Sequence, residues 1–237
     1  MHPTSIQAYL FVVSFTVLTS TRVEGAITPR SWSESYALAN SVVSQMTLDE
    51  KIGMVSGVGT FNSRCAGNTV AIPRLGIPSL CLNDGPAGIR QTHNVTGFPT
   101  GINAASTFSK RLMTARGVAL GEEFRGKGIH VYLGPSLDIA RNPKAGRNWE
   151  AFGPDPYLTG EAAYATIMGV QSVGVQACAK HFLGNNQEHW RYGLSVDIDD
   201  RTTRELYLYG YYRAVEVGGR IDHDVFLQSR QPDIGMS

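Results

Sequence analysis

The sequence predicts an α/β fold in which parallel strands are joined by crossover helices. Three short apolar segments with strand character, residues 80–83, 129–133 and 175–179, alternate with segments of helical periodicity. The 237 residues are 42% hydrophobic and 17% charged, so the chain is able to form one sizeable core. This element order fits an open doubly wound sheet or a TIM-like (β/α)8 barrel. No GxGxxG or phosphate-loop pattern follows a strand, and the barrel is therefore the preferred interpretation.

Capping signals mark the first helices. Helical periodicity runs over residues 33–55, where Thr47 and Glu50 have the spacing of a capping box that begins a second short helix. A longer helix is predicted over residues 109–125, because Gly126 ends the periodic pattern there.

Two further helices follow. Asp155 and Pro156 are expected to begin a helix that extends to Ser172, since proline is tolerated at the first helical position. The spacing of Thr202 and Glu205 predicts another capping box and a helix from there to Val217.

Charged residues follow every predicted strand. Asp84 and Arg90 follow the first, Lys180 and His181 end the third, and the second is followed by Asp138, Arg141, Lys144, Arg147 and Glu150. In barrels and in open α/β sheets, the carboxyl ends of the strands carry the ligand site. A single residue of this kind is more often a local ion pair, a helix cap or a core histidine, but three clusters at one edge favour a binding site.

These residue types suit a neutral ligand with many hydroxyl groups. Carboxylates, guanidinium groups and an imidazole supply donors and acceptors in several directions, and charged partners strengthen such hydrogen bonds. Trp149, Phe152 and Trp190 are candidates for apolar faces against a sugar ring, although core packing is the more common role of such residues.

Charge and composition exclude several other classes of function. The formal net charge is +1 and the pI is about 7.8, so no basic field indicates a nucleic-acid or anionic membrane partner. No Cys and His spacing of the zinc type occurs, and we expect no metal and no cofactor.

The N-terminus has the pattern of a secretory signal. Residues 8–18 are apolar but too few to span a bilayer, and small residues then lead to a cleavage site after Gly25. We therefore expect a secreted, extracellular protein, with an uncleaved anchor or a buried helix as the alternatives. In a secreted chain, Asn94 in the sequence Asn-Val-Thr is a glycosylation acceptor.

Secretion also changes how the three cysteines are interpreted. Cys65 and Cys81 bracket a loop rich in glycine, asparagine and proline, and a disulfide between them would close it in an oxidising compartment. Cys178 lies in an apolar run and is expected to be a small core residue.

Four long motifs follow one another along the chain: LNDGPAGIR, GPSLDIARNPKAGRNWEAFGPDPYLTG, GVQACAKHFLGNNQEHWR and DDRTTRELYL. In this order they resemble the N-terminal barrel of glycoside hydrolase family 3, as found in secreted fungal β-glucosidases. The resemblance covers residues 32–217, and it also implies that Cys65 and Cys81 are bridged.

The resemblance implies a role for five residues in the first glucose subsite. Asp84 matches the aspartate that accepts hydrogen bonds from hydroxyls of the non-reducing glucose, and Arg90 and Arg147 match arginines that line this subsite. Lys180 and His181 match the lysine-histidine pair that binds the same ring.

The sequence departs from the family pattern at the residues that break the bond. Retaining glycosidases need two carboxyl groups about 5 Å apart, a nucleophile and an acid/base. The family's nucleophile is an aspartate in a Ser/Thr-Asp-Trp motif, which is not found in this sequence, and its acid/base lies in a following domain. Asp222 and Asp224 are poor substitutes for the nucleophile, because an irregular terminal segment rarely holds a carboxylate rigidly.

We therefore expect three segments: a signal peptide over residues 1–25, a partial barrel over residues 26–217 that is incomplete at its C-terminal end, and a divergent tail over residues 218–237. The resemblance implies a β-glucosidase that hydrolyses terminal non-reducing β-D-glucosyl residues of β-glucosides and short gluco-oligosaccharides with retention, in the breakdown of cellulose. No catalytic residue is expected in this chain, which would be inactive alone. The alternatives are a non-catalytic sugar-binding fragment and a family 3 enzyme for xylosides or N-acetylglucosaminides.

Overall fold

The structure is a computed structural model that describes residues 31–59 and 65–220. The predicted signal peptide over residues 1–25 lies outside these ranges, as do Asp222 and Asp224. Within the described ranges, none of the helices combines the length and apolar character that crossing a membrane requires.

The described residues form helices and strands in alternation after an N-terminal helical pair. The helices are α1 (Trp32–Val43), α2 (Leu48–Ser56), α3 (Gly101–Ala105), α4 (Lys110–Gly126), α5 (Pro156–Ser172), α6 (Asp200–Thr202) and α7 (Tyr209–Arg220). The strands are β1 (Gly67–Asn68), β2 (Cys81–Asp84), β3 (Val131–Ser136) and β4 (Gln176–Lys180).

The strands form one mixed sheet in the order β1-β2-β3-β4. β2 pairs parallel with β3, and β3 pairs parallel with β4, with α4 and α5 as the crossover helices. The α/β fold with parallel strands is thus confirmed. The short strand β1 was not predicted, and it pairs antiparallel with β2 at the edge of the sheet.

Most helix boundaries agree with the capping signals. The side chain of Thr47 accepts a hydrogen bond from the backbone N–H of Glu50, and Glu50 accepts one from the N–H of Thr47, which confirms the first capping box. Ser109 caps α4, and Asp155 caps α5 with Pro156 at its first position.

The second predicted capping box is wrong. Asp199 caps this helical region instead, because its carboxylate accepts the backbone N–H of Thr202 at 3.0 Å. Thr202 is already inside α6 and makes no side-chain cap bond, while Glu205 pairs with Arg201 at 2.9 Å. A π-helical turn, Thr203–Tyr207, leads to α7, whose backbone continues to Arg220, beyond the predicted end at Val217.

Strand β3 is longer than the sequence predicts. The predicted strand ends at residue 133, but β3 continues through Gly134 and Pro135 to Ser136, with a register shift at which Leu133 and Gly134 both face Cys178. Proline has no N–H for the ladder and is tolerated where such an irregularity interrupts pairing. The extension brings Ser136 alongside Lys180 at the end of β4.

Two glycines allow α4 and α5 to pack closely on one side of the sheet. A Cβ atom at Gly117 would lie 2.5 Å from the carbonyl oxygen of Thr166, and one at Gly169 would lie 2.4 Å from that of Thr114. Leu120 belongs to the same buried core. Any side chain at either glycine would force the helices apart.

Gly169→Ala should lower the free energy of unfolding by about 2–3 kcal/mol, because the added methyl group meets rigid backbone and the overpacking outweighs the better helix propensity of alanine. The matched control is Gly126→Ala at the end of α4, where no atom lies within 4 Å of the added Cβ. That change should be neutral or stabilising by up to about 1 kcal/mol. Urea unfolding measures both, and equal effects of the two variants would contradict the helix contact.

Candidate functional site

A polar cleft lies at the carboxyl ends of β2 and β4. Its volume is about 360 Å³, and it contains all five side chains that the sequence analysis selected. The residues lining this cleft, called the polar cleft below, are Ala66, Asp84, Arg90, Leu133, Arg147, Lys180, His181, Glu188 and Arg191.

The strand ends place the first two charged groups. Asp84 is the last residue of β2 and Lys180 is the last residue of β4, and their side chains form an ion pair across the end of the intervening strand β3. Arg90 adds a second ion pair to Asp84, with 3.0 Å between its Nη1 and Oδ2 of the carboxylate.

Arg90 is held by a tight return of the chain after β2. The amide of Asn83 bonds the backbone of Arg90 twice, donating to its carbonyl at 3.2 Å and accepting from its N–H at 3.3 Å. Gly88 in this turn has a φ of 127°, which favours glycine. The motif NDGPAGIR is thus a turn that brings the arginine back beside the aspartate.

Burial affects the two members of the Asp84–Lys180 pair differently. Burial opposes ionisation of Asp84, but Lys180, Arg90 and Arg147 together outweigh it, so the pKa of Asp84 lies below its ordinary value. The side chain of Lys180 is only 4% exposed, against 26% for Asp84. Burial lowers the pKa of Lys180, because it outweighs the opposing effect of the Asp84 carboxylate.

Glu150 is buried beneath the polar cleft and orients two arginines. Its carboxylate, 1% exposed, accepts hydrogen bonds from Nε and Nη2 of Arg147, both at 2.9 Å. It also lies 3.6 Å from Nη2 of Arg90. Burial disfavours the Arg147 charge, but Glu150 and Glu188 outweigh it and raise the pKa of Arg147. A two-pronged pair of this kind fixes the plane of the guanidinium as well as its position.

Two further residues that line the polar cleft, Glu188 and Arg191, are not among the sequence-predicted site residues. Glu188 lies 3.5 Å from Arg147 and 3.1 Å from Arg191. Its backbone N–H donates to the carbonyl of Ala145, which joins the segment after β4 to the segment after β3. Both residues lie in the motif GVQACAKHFLGNNQEHWR, seven or more positions after His181, but nothing in their spacing indicated which way they face.

His181 follows Lys180, the last residue of β4, and its side chain also lines the polar cleft. Its Nδ1 lies 2.6 Å from Oδ2 of Asp138, and the hydroxyl of Ser136 donates to the same oxygen at 3.1 Å. Asp138 does not itself line the polar cleft. Asp138 lines a smaller neighbouring cavity that shares Arg147, His181 and Glu188 with the polar cleft, so its carboxylate holds the imidazole at the border of the two spaces.

Other residues from the predicted charged clusters lie elsewhere. Arg141 and Lys144 line a separate surface cavity, and the guanidinium of Arg141 lies over the ring of Tyr207 at 5.7 Å. None of the three aromatic candidates lines the polar cleft: Phe152 is in the core, Trp149 lines a different cavity, and Trp190 is 78% exposed.

Cys65 and Cys81 form a disulfide, the pairing that the resemblance implies. Cys81 begins β2, so the bond attaches the segment containing Ala66, which lines the polar cleft, to the strand that carries Asp84. Cys178 is buried in the core, as expected, and its burial raises its pKa to about 11. Asn94 is exposed, so it is accessible for modification.

The paired charges leave the polar cleft with a dense array of hydrogen-bonding groups. Four cations, Lys180, Arg90, Arg147 and Arg191, meet the carboxylates of Asp84, Glu150 and Glu188. Because each cation is already close to a carboxylate, the arrangement suits a neutral ligand with many hydroxyl groups better than an ion.

Comparison with known proteins identifies the family of the chain. The sequence profile of the "Glycosyl hydrolase family 3 N terminal domain" matches residues 62–221. The chain belongs to glycoside hydrolase family 3.

Similar proteins are fungal and bacterial β-glucosidases. "Probable beta-glucosidase F" of Emericella nidulans is 51% identical over 197 residues, and "Probable beta-glucosidase A" of Aspergillus terreus is 48% identical over 201 residues. Each match covers 79% of this family 3 chain and 23% of the relative. The chain therefore spans about a quarter of the length of these curated relatives.

Solved structures agree in fold. The β-glucosidase D2-BGL of Chaetomella raphigera superposes with a TM-score of 0.77 and 48% identity, over 80% of this chain and 27% of the other. The β-glucosidase 3B of Thermotoga neapolitana, solved in complex with α-D-glucose, superposes with a TM-score of 0.72 and 43% identity, over 75% and 27% of the two chains.

Asp84→Asn should lower the free energy of unfolding most at neutral pH. Because the folded-state pKa of Asp84 is below its ordinary value of 3.8, its ion pairs stabilise the fold fully above about pH 5 and are lost as the pH falls through the lowered pKa. The difference in unfolding free energy from the wild type should be about 2 kcal/mol at pH 7 and shrink below pH 3.8. Urea unfolding across this range measures it, and a difference that persists unchanged at pH 2 would contradict the lowered pKa.

Glu150→Gln should lower the free energy of unfolding by about 2–4 kcal/mol, because it leaves two guanidinium groups next to a buried neutral amide. The matched control is Glu205→Gln, which breaks an ion pair with Arg201 whose members are 60% and 82% exposed. The control should change stability by less than about 0.5 kcal/mol. Similar losses in the two variants would show that Glu150 is not the buried anchor of Arg147 and Arg90.

Proposed function

We propose that the protein is a β-glucosidase and that the polar cleft binds the terminal non-reducing glucosyl residue of a β-glucoside or short gluco-oligosaccharide. The observation that carries this proposal is the convergence of Asp84, Arg90, Arg147, Lys180 and His181 on one cleft. Membership of family 3 and the names of the fungal relatives support the same activity. The relative solved with α-D-glucose supports the sugar.

Within this proposal the five residues hold the ring. The carboxylate of Asp84 is ionised and accepts hydrogen bonds from sugar hydroxyls, while Lys180 and Arg90 fix its orientation. Arg147 donates from a guanidinium whose plane Glu150 fixes. His181 contributes the ring nitrogen that Asp138 leaves free.

We assign binding rather than bond cleavage to this part of the protein. A retaining mechanism needs one carboxylate free to attack and one protonated carboxyl to donate a proton. In the described residues, the carboxylates that line the polar cleft, Asp84 and Glu188, are each engaged by two cations. This pairing lowers their nucleophilicity, and the lowered pKa of Asp84 keeps that carboxyl ionised, so Asp84 is suited neither to attack nor to donate a proton.

The proposal also includes the complete fold of the domain and the location of the protein. We propose that β2, β3 and β4 are successive parallel strands of a TIM-like (β/α)8 barrel, since the polar cleft lies at their carboxyl ends, where barrel sites lie. We also propose that the protein is secreted, carries a glycan on Asn94 and contributes to cellulose breakdown. The N-terminal pattern, the disulfide and the exposure of Asn94 support secretion and glycosylation.

Two measurements on the 237-residue chain test the proposal. Hydrolysis of a chromogenic β-glucoside reports cleavage, and calorimetric titration with glucose, xylose and N-acetylglucosamine reports binding and sugar preference. Glucose binding without hydrolysis is expected if this chain supplies only the sugar-holding residues. Tighter binding of xylose or N-acetylglucosamine would indicate a xyloside or an N-acetylglucosaminide as the substrate. Binding of none of the three sugars would contradict the proposal.

Asp84→Ala should weaken glucose binding by roughly 1.5–3 kcal/mol, because it removes a charged hydrogen-bond acceptor from the ring and leaves Lys180 buried without its partner. Asp200→Ala is the matched control, since Asp200 pairs with Arg204 at an exposed site and does not line the polar cleft. The control should bind glucose as the wild type does. Equal heats for the Asp84 variant and the wild type would exclude Asp84 from the site.

A further inference from the structure

We propose that Asp138 is a positioning residue that sets the tautomer of His181 and so decides which bond the imidazole offers to the sugar. Asp138 is not among the five positions that the family resemblance assigns to the glucose subsite, and it does not line the polar cleft. The inference rests on the proposed function only where it concerns sugar binding.

The contact geometry selects one protonation pattern for the imidazole. Oδ2 of Asp138 lies 2.6 Å from Nδ1 of His181, and a carboxylate only accepts hydrogen bonds, so Nδ1 carries the proton. In the neutral imidazole, Nε2 then has a free lone pair. Within the described part of the chain no hydrogen bond to Nε2 is formed, which leaves this nitrogen to accept a hydrogen bond from a sugar hydroxyl.

The carboxylate is itself held in place. The hydroxyl of Ser136 donates to Oδ2 of Asp138 at 3.1 Å, and Ser136 is the residue of β3 that pairs with Lys180 at the end of β4. The side chains of Asp138 and His181 are 16% and 9% exposed, so water competes little for this bond. The extension of β3 past Gly134 thus positions Ser136. Ser136 in turn orients the carboxylate of Asp138, and this carboxylate orients the imidazole of His181.

A second histidine supplies an internal standard with the opposite tautomer. Nδ1 of His130 accepts a hydrogen bond from the backbone N–H of Cys81 at 3.0 Å, so its proton must be on Nε2. The two histidines are therefore expected to show opposite protonation patterns in the same sample.

The test is a ¹H–¹⁵N spectrum of the histidine rings in the 237-residue chain labelled with ¹⁵N-histidine. It is recorded without sugar at a pH well above the ordinary histidine pKa of about 6.5, where neutral rings dominate. His181→Gln assigns the signals. The proposal expects His181 to be protonated on Nδ1 and His130 on Nε2, and a wild-type His181 protonated on Nε2 would overturn it.

Asp138→Asn tests cause and consequence together. An amide is able to donate as well as accept, so His181 should lose its preference for Nδ1–H while the His130 signals stay unchanged. Glucose affinity should fall roughly threefold to tenfold, the effect of one uncharged hydrogen bond. Asp200→Asn, the same substitution at an exposed pair, should change neither the spectrum nor the affinity.

The outcomes separate this inference from the proposed function. An unchanged His181 tautomer in Asp138→Asn overturns the positioning role, as do altered His130 signals, which would indicate a general loss of structure. A changed tautomer with unchanged glucose affinity overturns its consequence for binding. If the wild type shows the expected tautomer but binds no glucose, the proposed function fails while the positioning of the imidazole is supported.

Discussion

The ion pair between Asp84 and Lys180 joins the ends of two strands that are not neighbours in the sheet. β3 lies between β2 and β4, so the pair spans the middle strand at the edge where the polar cleft lies. Removing a lysine from water costs several kcal/mol unless a counter-ion and further hydrogen bonds compensate. The Asp84 carboxylate supplies that counter-ion for the buried ammonium group of Lys180.

The other charged groups extend this pair into a network in which Arg90, Arg147 and Arg191 each have a carboxylate partner. Glu150 holds Arg147 from beneath, Arg90 bridges Asp84 and Glu150, and Glu188 joins Arg147 to Arg191. Each side chain is fixed by its neighbours before any ligand arrives, and this preorganisation reduces the entropy that binding must overcome. Under the proposed function, the same pairing suits these carboxylates to holding a sugar ring rather than attacking it.

Local chemistry made much of the fold predictable from the sequence. The Thr47–Glu50 capping box, Asp155 before Pro156, and the apolar strands depend on contacts within a few residues, and all are present. The cap at Asp199 was missed because Asp199 and Thr202 both satisfy the local rules for a cap, and only the three-dimensional hydrogen bonds distinguish them.

The site was predictable only as far as strand ends determine it. The five selected residues lie at strand ends or match binding positions that the family resemblance implies, whereas Glu188 lies on a segment whose direction depends on its backbone bond to Ala145. The partner of His181, Asp138, is 43 positions away in the chain, and no periodicity relates the two. Contacts of this kind are consequences of tertiary packing rather than of sequence pattern.

The disulfide also links the cleft to the chemistry of the compartment in which the chain matures. Among the described residues, reduced thiols would leave the backbone around Ala66 joined to this edge of the sheet by the two-residue pairing of β1 with β2 and by the hydrogen bonds between Thr69 and Leu80. A chain synthesised in a reducing cytoplasm would therefore keep the ion pairs of the polar cleft, but the segment that contains Ala66 would be held less rigidly. Host choice for recombinant production thus determines how rigidly this segment is held.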